Sequence, residues 1–277
     1  MKSIDFQWKT ADSLAIHAQH WEVDEPTAVV CIVHGLGEHM GRYEHVAAFF
    51  AQHQIASFAY DRRGHGKSEG KRGDAPDLET LLDEIETLLV FAKQAYPAKP
   101  LFLYGHSLGG NLALNFVLRR KPNIQGVIAT GSWIRLPKPP TAFLLGFARL
   151  MRRVFPALTQ PNGLVLKYLS KDPKVVEAYA NDPLVHNRIS VRMGLAMLEA
   201  ANWLDEFSGE MPVPTLIMHG GEDKITDPAG SEAFAKRVSG HVSWKRWEGL
   251  FHEIHNEPEQ AEVMEYIMVW MKEKLGN

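Results

Sequence analysis

The sequence predicts an α/β fold, with a mostly parallel central sheet flanked by helices and a helical insertion late in the chain. Three observations predict it. Short apolar runs end repeatedly in glycine or polar residues, and segments of helical period alternate with them. That rhythm then stops between about residue 132 and about residue 210 before it resumes. The chain is thereby divided into a first core part over 1–131, an inserted helical cap over 132–210 and a second core part over 211–277.

The elements follow in order. SLAIHAQHW alternates loosely, while TAVVCIVHG and IASFAYD are short apolar runs of the kind a sheet buries on both faces. Leu78, Leu81, Leu82, Ile85, Leu88, Leu89, Ala92 and Tyr96 recur at helical spacing, and YPAKP ends that helix. LFLYG is the next strand, LGGNLALNFVLRR the next helix and IQGVIATG the strand after it. Parallel strands joined in this way require right-handed crossovers. The insertion opens with WIRLPKPP and contains the apolar helix TAFLLGFARLMRRVF. It then runs through the polar turns LSKDPK and ANDPLVHNR to VRMGLAMLEAANWLDEF, and no run in it reads as a strand. The sheet resumes at VPTLIMHGGED. A helix in PAGSEAFAKRV, a strand in VSWKRWEG and a closing helix from EPEQAEVMEYIMVWMKEKL complete the chain.

Composition excludes several function classes. The formal net charge of -3 gives no electrostatic attraction to nucleic acid, and Arg149, Arg152 and Arg153 sit beside leucine and phenylalanine rather than in a polar run. The one cysteine, Cys31, lies in an apolar strand, so neither a disulfide scaffold nor a thiolate metal cluster is expected. The N-terminus lacks an apolar signal region, and no run reaches the roughly 18 apolar residues of a membrane span. A cytoplasmic protein is expected, with any membrane contact transient and made through the cap surface. Nothing in the sequence specifies an oligomeric state.

Chemistry concentrates in LFLYGHSLGGNLAL. Gly105, Ser107 and Gly109 satisfy G-x-S-x-G between a strand and a helix, where a sharp turn lifts a serine hydroxyl above the sheet edge. The helix behind it directs free N–H groups toward developing negative charge, which makes the Leu108 amide an oxyanion donor. The alternative, a serine that merely caps a helix, predicts no partners elsewhere. A nucleophile on this architecture requires an acid and then a histidine, in that chain order, on loops after later strands. In LIMHGGEDKITDP, Asp223 follows the glycine turn directly; Asp227 precedes Pro228 as a helix cap would, and Glu222 stays open as the acid. In WEGLFHEIHNEPEQ, His252 follows the strand and its glycine turn, with His255 as the alternative base. His106 is assigned packing and hydrogen bonding. A second oxyanion donor is expected from HGLGEHMGRY, where glycines at 35 and 37 let the Leu36 N–H approach a carbonyl oxygen. Neither glycine cluster matches G-x-G-x-x-G, RRGHGKS is not a P-loop, and HEIHNE offers no third metal ligand. No cofactor and no metal are expected.

These pieces resemble the serine hydrolases of the α/β-hydrolase superfamily, and more narrowly the monoacylglycerol lipase and lysophospholipase family. The resemblance rests on VHGLGEHMGRY, YDRRGHGKSEG, LYGHSLGGNLAL, NDPL, LIMHGGEDKITDP and FHEIHNEPE, in family order from residue 33 to residue 259. It implies an α/β-hydrolase fold with the cap inserted after the sixth strand, Ser107 as nucleophile, Asp223 as acid, His252 as base, and backbone donors at Leu36 and Leu108. It also implies that Asp61, Arg62 and His65 order a turn near the site without performing chemistry, and that the cap forms an apolar acyl tunnel. Family members commonly carry methionine where Leu108 stands.

The expected substrate is a single-chain lipid ester, monoacylglycerol first. Within TAFLLGFARLMRRVF, Phe143, Leu144, Phe147, Leu150 and Met151 are the candidates for lining its site. The neighbouring arginines suit a phosphate head group, which keeps a lysophospholipid in view. A broad carboxylesterase, an acyltransferase using the same three residues and a non-catalytic binding protein on this fold are the alternatives. A peptidase is disfavoured because no region suggests an acidic clamp for a peptide amine.

Overall fold

The computed structural model describes residues 2–276. The core part before the insertion contains β1 (Lys2–Lys9), β2 (Ala15–Glu22), β3 (Ala28–Val33), α1 (Glu44–Gln52), β4 (Ile55–Tyr60), α2 (Leu78–Ala95), β5 (Leu101–His106), α3 (Leu108–Arg120) and β6 (Gly126–Thr130). After β6 come α4 (Ala142–Val154), β7 (Thr159–Pro161), α5 (Pro173–Asn181), β8 (Arg188–Ser190) and α6 (Val191–Glu206). The chain closes with β9 (Thr215–Gly220), α7 (Pro228–Arg237), β10 (Val242–Trp247) and α8 (Gln260–Leu275).

The main sheet has eight strands in the order β1-β2-β4-β3-β5-β6-β9-β10. β1 and β2 pair antiparallel, as do β2 and β4, and every pairing from β4 to β10 is parallel. The cap follows β6, and β1 is what makes β6 the sixth strand. Sequence reading passes over β1 because Ile4, Phe6 and Trp8 alternate on an edge where most side chains stay partly exposed.

Strand periodicity sends alternate residues to two cores. Val29, Cys31 and Val33 of β3 pack with Leu81 and Ile85 of α2 and Leu112 and Phe116 of α3. Val30 and Ile32 pack on the other face with Val46 and Phe50 of α1 and Ile267 and Met271 of α8. Each such side chain, removed from water, contributes roughly 1.5–3 kcal/mol. Met197 and Leu204 of α6 join the first of these clusters, so the last cap helix packs on the helix layer formed by α2, α3 and α7.

The insertion is not wholly helical. β7 and β8 form a two-stranded antiparallel pair, Thr159 opposite Ser190. Three-residue strands are too short to show alternation, and Pro161 in one of them argues against a strand until the pairing is seen. α5 lies between the two expected turn stretches and overlaps both at its ends. Its signal is local: Asp172 caps the Lys174 N–H and Pro173 occupies the first turn.

β3 lies between β4 and β5, and the connections that leave it and return pass over opposite faces, through α1 and α2. The strand ends of β3 and β5 therefore open a crevice at a topological switch point, where ligands bind in open α/β sheets.

Candidate active site

Ser107 occupies the turn between β5 and α3 with φ 56 and ψ -117, a conformation unfavourable for an L-residue with a side chain. Two glycines make the turn possible. A Cβ at Gly105 would run into the Gly109 carbonyl oxygen, and one at Gly109 would run into the Val33 carbonyl oxygen. The turn is held by the Ser107 N–H donating to the Thr130 carbonyl and by the Trp133 N–H donating to the Ser107 carbonyl, at 2.8 and 3.1 Å.

Two loops bring partners to this hydroxyl. His252, after β10, places Nε2 2.9 Å from Ser107 Oγ and Nδ1 2.7 Å from Asp223 Oδ2. Asp223, after β9, accepts further bonds from the Ile225 and Thr226 N–H groups at Oδ1 and from His219 Nε2 at Oδ2. Burial alone would raise the Asp223 pKa, but the facing His252 and the bonds from His219 and His252 outweigh it and hold the carboxyl far below its usual range. Burial would lower His252; the Asp223 charge and hydrogen bond prevail and raise it above the ordinary histidine value. His219, within β9, and Thr226, on the loop after it, escape a sequence reading because only the fold turns both onto Asp223.

The rejected and open alternatives are placed as well. Glu222 is exposed, and Asp227 caps α7 by accepting from the Ala229 N–H. His255 is buried and stacks on Tyr43 at 5.0 Å between ring centroids, and burial drives its pKa down to about 3. His106 bonds Thr130 Oγ1.

The loop after β3 lies against the serine. A Cβ built on Gly35 would sit 3.2 Å from Ser107 Cβ. Leu36 lines the cavity that contains Ser107 and His252, and its N–H donates to no acceptor among the described residues. Leu108 opens α3, so its N–H has no acceptor inside the helix.

A charge cluster missed at the sequence level ties this loop to the one carrying His252. Arg42 donates to Glu38 at 2.6 Å and forms two 2.6 Å bonds to Glu253, while Tyr43 donates to Glu38 at 2.7 Å. Glu38 accepts the Gly35 N–H at 2.5 Å. Burial would raise the Glu253 pKa, and Arg42 overrides it to hold the carboxyl below the usual range.

The cavity measures about 530 Å³. Its apolar wall comes from Leu36, Trp133, Leu136, Leu164, Val165 and Leu169. Phe143, Leu144, Phe147, Leu150 and Met151 are not part of it. α4 packs on α6 and turns its apolar stripe outward, with Phe143 86% exposed, so the irregular stretch 162–169 does the roofing expected of that helix.

A serine on a strained strand-to-helix turn, set against a histidine and an aspartate on later loops of a parallel sheet, defines the class: this is an enzyme, a serine hydrolase of the α/β-hydrolase fold. The family model described as serine aminopeptidase, S33, matches residues 24–259, and the chain belongs to that family, on its monoacylglycerol lipase and lysophospholipase side. It is 32% identical to a monoacylglycerol lipase of Mycolicibacterium smegmatis over 91% of this chain and 90% of that one. It is 39% identical, over 97% of its residues, to an abhydrolase domain-containing protein of Dictyostelium discoideum, of whose length it spans 29%. The crystal structure of the Paleococcus ferrophilus monoacylglycerol lipase superposes with a TM-score of 0.85 at 31% identity, covering 94% of this chain and 99% of that one.

Proposed function

We propose that the protein hydrolyses carboxylic esters of single-chain lipids, monoacylglycerol first, with the cap over 132–210 completing the substrate site. The observation that carries this reading is the 2.9 Å approach of His252 Nε2 to Ser107 Oγ at the wall of an apolar cavity. A cavity of about 530 Å³ falls in the usual range for small-molecule sites. The relatives named monoacylglycerol lipase support the lipid substrate.

In this mechanism Ser107 Oγ attacks the ester carbonyl carbon as its proton passes to His252 Nε2. The carbonyl oxygen becomes an oxyanion held by the Leu36 and Leu108 N–H groups. The imidazolium returns the proton to the alcohol oxygen as the carbon–oxygen bond breaks, and glycerol leaves. Water then repeats the sequence on the acyl-enzyme, releasing the fatty acid and restoring the serine. Asp223 stays ionised and fixes the imidazole tautomer.

The family description raises a peptidase reading, which the cavity does not favour. The carboxylates that line the cavity, Glu38 and Glu253, both accept hydrogen bonds from Arg42 rather than standing open to a substrate amine. Membrane-surface contact through α4 is part of the same proposal: exposed Phe143, Phe147 and Leu150 share a short helix with exposed Arg149 and Arg153, a pattern suited to an anionic lipid surface.

Hydrolysis of monoacylglycerols, lysophospholipids and short p-nitrophenyl esters at matched acyl lengths tests the reading. Rates should rise with acyl length on monoacylglycerols and vanish in Ser107→Ala. Preference for short esters without gain from longer chains overturns the lipid assignment, and activity in purified Ser107→Ala overturns the mechanism.

A further inference from the structure

Arg62 is wholly buried, and its single side-chain hydrogen bond runs from Nη2 to the Gly35 carbonyl oxygen, 2.6 Å away. Its Nε and Nη1 have no protein partner among the described residues. A guanidinium held this deep without a bonded carboxylate costs several kcal/mol, and the turn it belongs to does not use it. That turn is tied by Asp61, whose carboxylate accepts the Met40 and Lys67 N–H groups at 2.8 Å each, and by the Ser68 hydroxyl on the Asp61 carbonyl.

What the side chain does hold is the loop at the serine. His34 Nδ1 lies 2.8 Å from the same Gly35 oxygen, and His34 Nε2 lies 3.0 Å from the Arg62 main-chain nitrogen. A carbonyl oxygen only accepts and an amide N–H only donates, so the proton is on Nδ1 and the Nε2 lone pair faces Arg62. Burial beside Arg62 keeps this imidazole neutral. The Gly35 carbonyl thus receives two donors, one of them charged. Its peptide partner is the Leu36 N–H, which a trans, planar unit points the opposite way, toward the cavity that Leu36 lines. Glu38 holds the Gly35 N–H from the other side. Donors on a carbonyl polarise the N–H of the same amide, by about 10–30% per bond in strength.

We propose that Arg62 is a positioning residue for catalysis: through the Gly35 carbonyl it fixes and polarises the Gly35–Leu36 peptide, so that the Leu36 N–H binds the transition-state oxyanion more strongly than the ground-state ester. The inference rests on the reading of Leu36 as an oxyanion donor and goes beyond it, since it gives the arginine of YDRRGHGKS a function in rate and not only in the turn.

The experiment compares wild type, Arg62→Met and Arg62→Lys on p-nitrophenyl butyrate, together with the affinity of a trifluoromethyl ketone, which adds to a serine as a tetrahedral oxyanion. Loss of a whole oxyanion donor costs about 10²–10³ in kcat, so weakening one should lower kcat about 10- to 100-fold in Arg62→Met. The ketone should lose affinity by a similar factor while KM stays within about two-fold. Arg62→Lys, which keeps the cation without the planar reach, should fall between the two and serves alone where Arg62→Met does not fold. Unchanged ketone affinity in the variants, or a KM that rises in step with any fall in kcat, overturns the proposal. Activity in Ser107→Ala would overturn the site itself along with it, whereas a wild-type ketone adduct lost in Ser107→Ala and undiminished in the Arg62 variants overturns the role of Arg62 alone.

Discussion

Asp223 stabilises the protonated form of His252, and that sets a pH dependence. The His252 pKa lies above its ordinary value of about 6.5, so hydrolysis should fall on acidification with a midpoint above that value. Asp223→Asn removes the charge that raises the pKa. It should move the midpoint downward and cut kcat by about 10⁴, as pH–rate profiles of both proteins on one ester would reveal. Arg42 is the other residue with a large expected effect. Arg42→Met leaves Glu38 and Glu253 buried without their cation, and should lower unfolding free energy in urea by about 3–5 kcal/mol. Ser107 was legible because its constraints are local, two glycines and a strand–helix boundary. The Arg42–Glu253 pair was not, because its partners stand 211 positions apart and neither residue carries a local pattern that names the other.

At the scale of elements, α4 separates what an apolar pattern specifies from what it leaves open. The spacing of Phe143, Phe147 and Leu150 requires an amphipathic face, and the helix has one; the pattern says nothing of whether that face meets a cavity, a neighbour or solvent. The fold answers by leaving Phe147 54% and Leu150 57% exposed. The double variant Phe143→Ser and Phe147→Ser should therefore weaken cosedimentation with anionic phospholipid vesicles and spare hydrolysis of a water-soluble short ester. Equal sedimentation of variant and wild type counts against lipid contact through this helix. The parallel strands were readable as short apolar runs and their helices from helical period, whereas β7 and β8 are defined by each other and not by their residues.

Across the whole molecule, histidine burial governs stability toward acid. His34, His65 and His106 are buried with pKa values well below the ordinary one, His186 is pushed down to about 4 and His255 to about 3, in each case chiefly by burial. An unfolded chain binds protons at these positions below about pH 6.5, so each group removes up to about 1.4 kcal/mol per pH unit as pH falls from there toward its folded pKa. His252 has the opposite sign: its contribution is full below about pH 6.5 and is lost as pH rises through its folded value. Burial also lowers His20 and His45, so the lowered imidazoles outweigh the one raised, and the urea midpoint should drop between pH 7 and pH 5; a flat midpoint would show that these imidazoles are hydrated. No helix among the described residues is long and apolar enough to cross a membrane.

The roof over the cavity is also sewn to the loop beneath it. The His252 N–H donates to the Tyr168 carbonyl and the Glu253 N–H to the Leu169 carbonyl, while Glu257 accepts from Ser170 and Lys171. A chimera carrying a foreign cap would have to present two carbonyls at those spots or leave the general base on an untethered segment, so descent with new substrates is channelled toward changes in side chains and away from wholesale exchange of the module.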